Sequence, residues 1–276
     1  SCDYPDGLHS STWYDSGKGQ LTFTTNQMSG WSVPVYSSAV NSWDCFLKND
    51  KYVLSRSSNV VTVFSVDYYA YLCMDVTMVT GHSYYYYLRH DTQQNANDER
   101  VYVIEATISV TSLDQACTPT SGPVTEEFHV LIRQGNESNA KSWCPSPLLG
   151  SFEYIYDDNM GMTSCGAGSI WDVCTDRTTM TFNYTLCSTV LAFSQEGEVY
   201  CTVVLQSGST YYVSVLNPGS VDGASYYRFT CLSVSLSGST VYASQRPGEC
   251  EVGQTPQTAP SGGATMTLTP YCKLSH

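Results

Sequence analysis

Apolar and polar residues alternate with a period of two along most of this chain, and this pattern predicts β-strands. Residues 20–25 (Gln-Leu-Thr-Phe-Thr-Thr) and residues 180–185 (Met-Thr-Phe-Asn-Tyr-Thr) are clear cases, in which alternate side chains can face a core. No stretch shows a convincing apolar period of about 3.6 residues, which an amphipathic helix would require. The pattern therefore predicts an all-β fold of short antiparallel strands joined by Gly, Asn and Asp turns.

One strand–turn–strand pattern occurs twice, at residues 71–85 and at residues 199–212. In both segments an apolar pair precedes a cysteine, and an alternating run follows until a glycine interrupts it. A Tyr-Tyr pair then lies three and four residues past the glycine. A glycine between two alternating runs is typical of a β-hairpin, so we expect the same hairpin in both halves of the chain.

The cysteines extend this internal repeat beyond the hairpins. The first and second cysteines of the chain have the same spacing as a later pair, Cys144 and Cys187. We therefore expect two diverged copies of one unit, residues 1–134 and residues 144–276, with a linker at residues 135–143. Each copy has about seven or eight predicted strands, which suits a closed barrel or a sandwich, because both limit exposed strand edges.

The charge balance restricts the partners that the protein can have. With 25 acidic and 12 basic residues, the chain has a formal net charge of −13. This charge repels phosphate backbones and anionic lipid headgroups, so we expect no nucleic-acid partner. No apolar run is long enough to span a membrane. The first residue is not Met and no charged-then-apolar leader is present, which we interpret as the mature start of a secreted chain.

The cysteines and two glycosylation sequons also indicate an extracellular protein. Twelve cysteines, without a Cys-x-x-Cys pair, predict disulfides rather than zinc ligands, and hence an oxidising compartment. Asn136 and Asn183 lie in Asn-x-Ser/Thr sequons, so we expect an N-linked glycan on each.

The repeat also suggests how the cysteines pair. If both copies are cross-linked alike, the predicted bonds are Cys2–Cys45, Cys73–Cys117, Cys144–Cys187 and Cys201–Cys250. The four cysteines found only in the second copy then form Cys165–Cys174, which are close in sequence, and Cys231–Cys272. Each bond should stabilise its unit by about 2–4 kcal/mol.

Sequence motifs of enzymes are absent from the chain. It contains no Gly-x-Ser-x-Gly, no His-Glu-x-x-His and no glycine-rich phosphate loop, and its five histidines are scattered. Residues 157–161 (Asp-Asp-Asn-Met-Gly) resemble a calcium loop, but the glycine comes one place early and no Glu follows at the required distance. We therefore predict no catalytic residue, no cofactor and no metal site.

Tyrosine is unusually frequent, with 22 residues, four of which are consecutive: Tyr84, Tyr85, Tyr86 and Tyr87. One interpretation is the preference of tyrosine for strands. The other is a surface aromatic platform that contacts glycans or partner chains. Because side chains alternate along a strand, two of the four rings should point to each face. We take this run as a candidate platform.

Three segments of the second copy resemble a known family. They are residues 144–152, which begin with Cys-Pro, residues 172–176 (Asp-Val-Cys-Thr-Asp) and residues 180–187 (Met-Thr-Phe-Asn-Tyr-Thr-Leu-Cys). The chain is thereby similar to tandem cysteine-rich domains of unknown function from secreted and surface proteins of invertebrates. The first copy resembles a companion domain through Cys2, Trp13 and its later cysteines. The resemblance implies an extracellular protein and supplies no catalytic residues.

A second resemblance is to the lipocalins, whose first strand carries Gly-x-Trp. The segment ending at Trp13 keeps the tryptophan without the glycine, and the segment starting at Gly150 keeps the glycine without the tryptophan. The resemblance implies a calyx-shaped barrel.

These observations leave two functions from different classes. The first is a secreted, non-enzymatic glycoprotein with a structural, adhesive or assembly-forming role in matrix, mucus or a filament. Its partners would be other extracellular chains, further copies of itself, or glycans. The second is a soluble lipocalin-like carrier of a small apolar ligand. Five residues could line its cavity, although core filling is their ordinary role: Phe23, Val61, Val63, Phe182 and Leu205.

Overall fold

The structure of the chain is a computed structural model, and the residues that it describes are 2–160, 163–164, 168–182 and 190–272. Nearly all regular structure in this part of the chain is β-strand, so the all-β prediction is confirmed. The single α-helix in these residues, α1 (Asp114–Cys117), has four residues. Short 3₁₀ helices lie at Asp6–Leu8, Gln94–Ala96, Thr125–Glu127, Glu137–Ala140 and Ser146–Leu148.

The chain divides into two compact units. They are Ser1–Pro123 with Phe128–Gly135, and Val124–Glu127 with Asn136–His276. The residues from Asn136 to Trp143, predicted above to belong to a linker, therefore group with the second unit. There the backbone N–H of Ser142 donates to the carbonyl of Cys201 at 2.8 Å.

The first unit contains a closed barrel. Its strands are β1 (Ser11–Asp15), β2 (Gly19–Phe23), β3 (Gln27–Val35), β4 (Ser38–Lys48), β5 (Tyr52–Ser57), β6 (Val61–Val63), β7 (Val66–Thr80), β8 (Ser83–Leu88), β9 (Tyr102–Glu105) and β10 (His129–Arg133). Eight of them form an antiparallel ring in the order β1-β2-β3-β4-β5-β7-β8-β10, and β10 pairs with β1 again. Strands β6 and β9 pair with β7 outside this ring.

The second unit contains a barrel of the same kind. Its strands are β11 (Ser151–Asp157), β12 (Thr163–Ser164), β13 (Ile170–Asp172), β14 (Thr179–Phe182), β15 (Glu198–Ser207), β16 (Thr210–Leu216), β17 (Phe229–Ser237), β18 (Thr240–Pro247) and β19 (Ala264–Cys272). The antiparallel ring runs β11-β13-β14-β15-β16-β17-β18-β19 and closes when β19 pairs with β11. Both units are thus barrels, and the sandwich alternative does not apply.

The repeated hairpin predicted from the sequence is present in both units. Strands β7 and β8 form it in the first barrel, and β15 and β16 form it in the second. The turn glycine of the second hairpin, Gly208, has φ +59°, a conformation that glycine adopts without steric cost.

One end of the first barrel is fixed by Arg133 on β10. Its guanidinium group lies 5.1 Å from the ring of Trp13 on β1 and donates to the carbonyl of Gly7 at 2.6 Å. The N-terminal 3₁₀ helix is thereby held against the barrel. A side chain at Gly7 would collide with the Tyr84 hydroxyl, 1.9 Å from an ideal Cβ, so only glycine fits there.

Two predicted disulfides are confirmed, and both lie in the first unit: Cys2–Cys45 and Cys73–Cys117. In the second unit the pairing differs from the prediction, with bonds Cys144–Cys201 and Cys231–Cys250. The predicted pairs Cys144–Cys187, Cys201–Cys250 and Cys231–Cys272 are therefore wrong. Cys165–Cys174 is also wrong, because Cys174 is a free, half-buried cysteine in the described part of the chain. Cys165, Cys187 and the side chain of Cys272 lie outside the described residues.

The reason for this difference is local geometry in the second unit. The hydrogen bond from Ser142 N to Cys201 O brings the N-terminal segment beside β15, and Cys144 follows two residues later. Cys231 lies on β17, which forms a hairpin with β18. Cys250 follows shortly after the end of β18. These disulfides therefore join segments that strand pairing brings together, and the cysteine spacing in the sequence does not determine them.

The interior of each barrel contains its own apolar core. Four of the five proposed cavity-lining residues lie in these cores or pack against one: Phe23, Val61, Val63 and Phe182. The fifth, Leu205, is half-buried, and its neighbour Val204 packs against the second core instead. The cause is a β-bulge between Cys201 and Val203, which shifts the alternation along β15 by one residue.

Candidate functional site

Buried tyrosines and tryptophans of the first barrel have hydrogen-bond partners. The hydroxyl of Tyr4 lies 2.7 Å from the hydroxyl of Ser55. Trp13 Nε1 donates to the carbonyl of Leu8 at 3.2 Å, and Trp43 Nε1 donates to a carbonyl on β3 at 2.7 Å. These polar atoms need no further partner, as is usual for buried groups.

A carboxylate inside the same barrel completes this polar arrangement. Asp15 is only 3% exposed, and its Oδ1 accepts from the backbone N–H groups of Gly17 (3.0 Å) and Lys18 (2.8 Å). Its Oδ2 accepts from the Tyr86 hydroxyl at 2.8 Å, and that hydroxyl accepts from Trp31 Nε1 at 2.9 Å. Each of these hydrogen bonds leads, directly or through Tyr86, to the Asp15 carboxylate, so the network stabilises the barrel.

In the second barrel, one wall carries three inward polar side chains. Trp171 on β13 lies opposite Phe152 on β11. Two residues along, on the same face, Tyr154 lies opposite Ser169, and Tyr154 N donates to Ser169 O at 3.2 Å. Tyr154 and Trp171 belong to the core. Ser169 lies two residues before Trp171 and therefore on the same face. We call Tyr154, Ser169 and Trp171 the donor wall.

The donor wall is fully buried and lacks hydrogen-bond partners. Tyr154 is 1% exposed, and Ser169 and Trp171 are 0% exposed. In the part of the chain that the structure describes, the Tyr154 hydroxyl, Ser169 Oγ and Trp171 Nε1 have no partner. A buried polar group without a partner costs about 1–3 kcal/mol, and native proteins keep few of them. Three on neighbouring positions of one wall therefore make this wall the candidate site.

The chemistry of the donor wall is that of neutral hydrogen-bond donors. Burial raises the pKa of the Tyr154 hydroxyl to about 12, so this group keeps its proton at neutral pH. Trp171 Nε1 can only donate, whereas the two hydroxyls can donate or accept. The rings of Tyr154 and Trp171 are perpendicular, with centroids 6.1 Å apart. The wall therefore offers two hydroxyl groups and one indole N–H to a hydrogen-bond acceptor.

The surroundings of the donor wall are apolar. The described core residues around it include Phe152, Met180, Phe182, Met266 and Leu268. Among the buried residues that the structure describes in the second unit, Glu126 carries the one carboxylate, and none is a Lys, Arg, His or Asp. A molecule bound here would therefore lie mostly against hydrocarbon and aromatic surface, with its polar contacts restricted to one side.

A concave surface in the first unit is a weaker candidate. It is a cleft of about 410 Å³ at the turn between β4 and β5, lined by Pro5, Lys48, Asn49, Asp50, Lys51, Val53 and Val76. The Lys51 ammonium group is 60% exposed and lies 4.0 Å from the Asp75 carboxylate. Because the charged groups of the cleft reach water, they are solvated without a ligand.

The predicted platform of four tyrosines is not formed. Tyr84 and Tyr86 are 5% and 0% exposed and point into the first barrel. Tyr85 and Tyr87 point outward and are half-buried, with perpendicular rings 6.1 Å apart. The alternation of the four rings is thus as expected, but alternation in a barrel leaves only every second ring on the surface.

The two predicted glycan sites differ in what the structure describes. Asn136 is half-buried and precedes the 3₁₀ helix Glu137–Ala140, and its side-chain oxygen accepts from the Asn139 amide at 3.4 Å. Asn183 lies outside the described residues. Glycosylation at both positions remains a prediction.

Sequence patterns did not identify the donor wall, although they placed its first strand correctly. Alternation over residues 150–156 already puts Phe152 and Tyr154 on one face. Whether the hydroxyl of Tyr154 finds a partner depends on which strands lie beside β11, and no local pattern encodes those neighbours. The presence of two inward tyrosines on one strand was the available signal.

The fold and the donor wall together define a protein with two closed, eight-stranded antiparallel barrels, one of which has unpartnered donors inside. Residues 142–269 match a family described as a domain of unknown function (DUF7042). This match spans most of the second unit, including the donor wall. No curated protein and no solved structure matches the chain. In the described residues, no helix is long and apolar enough to cross a membrane.

Proposed function

We propose that the protein is a secreted, non-enzymatic carrier that holds one small, mostly apolar ligand inside its second barrel. The observation that supports this function is the donor wall, where three buried donors on neighbouring positions have no partner among the described residues. An eight-stranded barrel is just wide enough to be filled by side chains or to hold one small ligand. Unpartnered donors inside such a barrel favour the second use.

Secretion is supported by the disulfides. Four bonds lie in the described residues, two in each unit, and such bonds persist mainly outside the cytosol. A carrier exposed to proteases benefits from this frame, since each bond restricts the unfolded chain. N-linked glycans at Asn136 and Asn183 would belong to the same extracellular setting.

Native mass spectrometry tests the carrier function. Protein purified from a eukaryotic secretory host should carry an additional small mass, which organic extraction removes. Hydrogen exchange in peptides covering β11 and β13 should then rise, because bound ligand protects the site, while exchange in β1 to β5 stays unchanged. A mass that equals polypeptide plus glycan, together with exchange that extraction leaves unaltered, would contradict the proposal.

A structural role in an extracellular assembly is the second candidate, and exposed apolar side chains favour it. Phe64, at the tip of the β6–β7 hairpin, is 99% exposed and has φ +48°, an unfavourable conformation for a bulky residue. Large exposed apolar residues often mark contacts with partner chains. The partner would be another extracellular chain or a second copy of this one, or a glycan that stacks on the ring.

Light scattering on a sizing column, with negative-stain images of the same fractions, tests this second role. Filaments or large regular particles that Phe64→Ser abolishes would support it. Met78→Ser is the matched control, because Met78 is 63% exposed on strand β7 and not at a hairpin tip. A monomer of the chain mass would exclude a self-assembling role.

A further inference from the structure

We infer that the ligand of the second barrel is a neutral, mostly apolar compound with a carbonyl-type hydrogen-bond acceptor, and that the donor wall binds this acceptor. The inference rests on the proposed carrier function and names the chemistry that its site selects. Its components are the three unpartnered donors, the lack of buried cations in the described part of the second unit, and the contrast with the first barrel.

The first barrel shows that this fold can satisfy the same residue types internally. There, Trp31 Nε1 donates to Tyr86, and Tyr86 donates to the carboxylate of Asp15. The second barrel also has a Trp and a Tyr with neighbouring rings, Trp171 and Tyr154, but in the part of the chain that the structure describes neither of them donates to a carboxylate. The lack of an acceptor is therefore specific to the second barrel, and a bound molecule is what would supply one.

The donor set determines what that molecule must present. Trp171 Nε1 has no lone pair to offer, so the group facing it must accept a hydrogen bond. The Tyr154 hydroxyl is protonated at neutral pH, as tyrosine hydroxyls ordinarily are, and can donate. Ser169, opposite Tyr154 on the neighbouring strand, adds a second O–H and so a third donor. A carbonyl oxygen has two lone pairs and suits such a set of donors.

Charge decides between a neutral acceptor and an anion. A buried carboxylate requires a cation or several strong donors to offset its desolvation. No Lys, Arg or His is among the buried residues that the structure describes in the second unit, and the chain has a net charge of −13. A ketone, aldehyde, ester or amide oxygen loses far less hydration on entry than a carboxylate does. The site therefore selects neutral compounds.

The rest of the site selects an apolar body. Phe182 lies 6.4 Å from Trp171 in an edge-to-face arrangement, and Met180 and Met266 contribute adaptable thioether side chains to the same core. Hydrocarbon or aromatic groups fit such surroundings, and additional polar groups would be left without partners.

Two matched sets of probes test the inference. One is 2-nonanone, nonane and nonanoate, and the other is acetophenone, ethylbenzene and benzoate. Binding is followed by the thermal shift of the full chain and by the indole N–H signals of the five tryptophans in ¹⁵N spectra. Trp171→Phe assigns the signal of Trp171. We expect one ketone to bind about tenfold more tightly than its hydrocarbon and its carboxylate, and to move this signal downfield.

Variants separate hydrogen bonding from general apolar binding. Tyr154→Phe keeps the ring and removes only the hydroxyl, whereas Trp171→Phe removes the donor together with one ring of the indole. The loss of ring volume affects the ketone and the hydrocarbon alike, so each variant should reduce the advantage of the ketone over the hydrocarbon about tenfold. Tyr4→Phe in the first barrel is the control and should leave ketone binding unchanged.

The other results each have a defined meaning. Equal binding of ketone and hydrocarbon, or preferred binding of the carboxylate, overturns the inference and leaves the carrier function standing. If no probe of either set binds, and extraction of the native protein releases no small molecule, both fail. The donor wall then holds ordered water, which needs two to four polar partners of this kind.

Discussion

Removing the hydroxyl oxygen from Tyr154 and, separately, from Tyr4 should have opposite effects on stability. Both residues are 1% exposed, and Phe replaces each without a change in ring packing. The two hydroxyls differ in one respect. The Tyr4 hydroxyl lies 2.7 Å from Ser55 Oγ, whereas the Tyr154 hydroxyl has no partner in the described part of the chain. Comparing the two variants therefore shows how much a hydrogen bond to a buried tyrosine hydroxyl contributes to the stability of a barrel.

The magnitudes follow from that difference. In Tyr4→Phe, a buried hydrogen bond is lost and the fully buried Ser55 hydroxyl loses this partner, so the free energy of unfolding of the first unit should fall by about 1–3 kcal/mol. In Tyr154→Phe, no bond is lost and a desolvated hydroxyl is removed. The free energy of unfolding of the second unit, without ligand, should stay unchanged or rise by up to about 1 kcal/mol.

The assay must follow each unit separately, because a chain of two compact units is not expected to unfold in one step. Urea unfolding with pulsed hydrogen exchange and mass spectrometry gives one curve from peptides of β1 to β5 and another from β11 to β14. If Tyr154→Phe lowers the stability of the extracted, ligand-free second unit by more than about 1 kcal/mol, its hydroxyl has a partner. The reasoning that identifies the donor wall would then be refuted.

Three further predictions concern other parts of the structure. Hydrogen bonds from the Thr178 side chain and backbone lower the pKa of Asp176 to about 2, below the value of about 3.9 expected in the unfolded chain. Its carboxylate therefore stabilises the fold at neutral pH and loses this effect as the pH falls from about 4 to about 2. Asp176→Asn should lower the stability by less than about 1 kcal/mol at pH 7, because the group is largely exposed. The difference should shrink as the pH falls through about 2 and disappear below it in acid-unfolding curves. Arg133→Lys keeps the charge but loses the planar stacking on the indole and one fixed donor. It should lower the melting temperature of the first unit alone, measured by calorimetry, and an unchanged transition would show that the stacking contributes nothing. Non-reducing peptide mapping should join Cys144 to Cys201, and recovery of a different partner for Cys144 would contradict the second-unit frame.

The strands and the repeated hairpins could be predicted from the sequence because they depend on local alternation. The choice of a barrel over a sandwich could not, since it rests on β5 pairing with β7 and β19 pairing with β11. Leu205 shows a second limit. A single bulge reverses the face of every later residue in β15, and the sequence around Cys201 gives no sign of it.

The disulfides illustrate how far a repeat can be extended. The two bonds of the first unit follow from cysteine spacing, and those of the second do not. Cys73 and Cys201 occupy the same place in the repeated hairpin, yet Cys73 bonds to α1 and Cys201 bonds to the segment that precedes β11. Both units thus contain the hairpin. The segment outside the barrel to which a disulfide joins it differs between the two units.

The interiors of the two barrels differ in a way that explains how one frame can serve two purposes. The first strand of the first barrel carries the inward pair Trp13 and Asp15, and the carboxylate accepts a hydrogen bond from Tyr86. The first strand of the second barrel carries only aromatic residues inward, among them Phe152 and Tyr154. Closure of a barrel requires the eight strands and the alternation of inward and outward side chains along them, and both sets of inward residues are compatible with it. An inward acceptor thus makes a self-sufficient core, and its replacement by aromatic residues leaves donors that have no internal partner in the part of the chain that the structure describes.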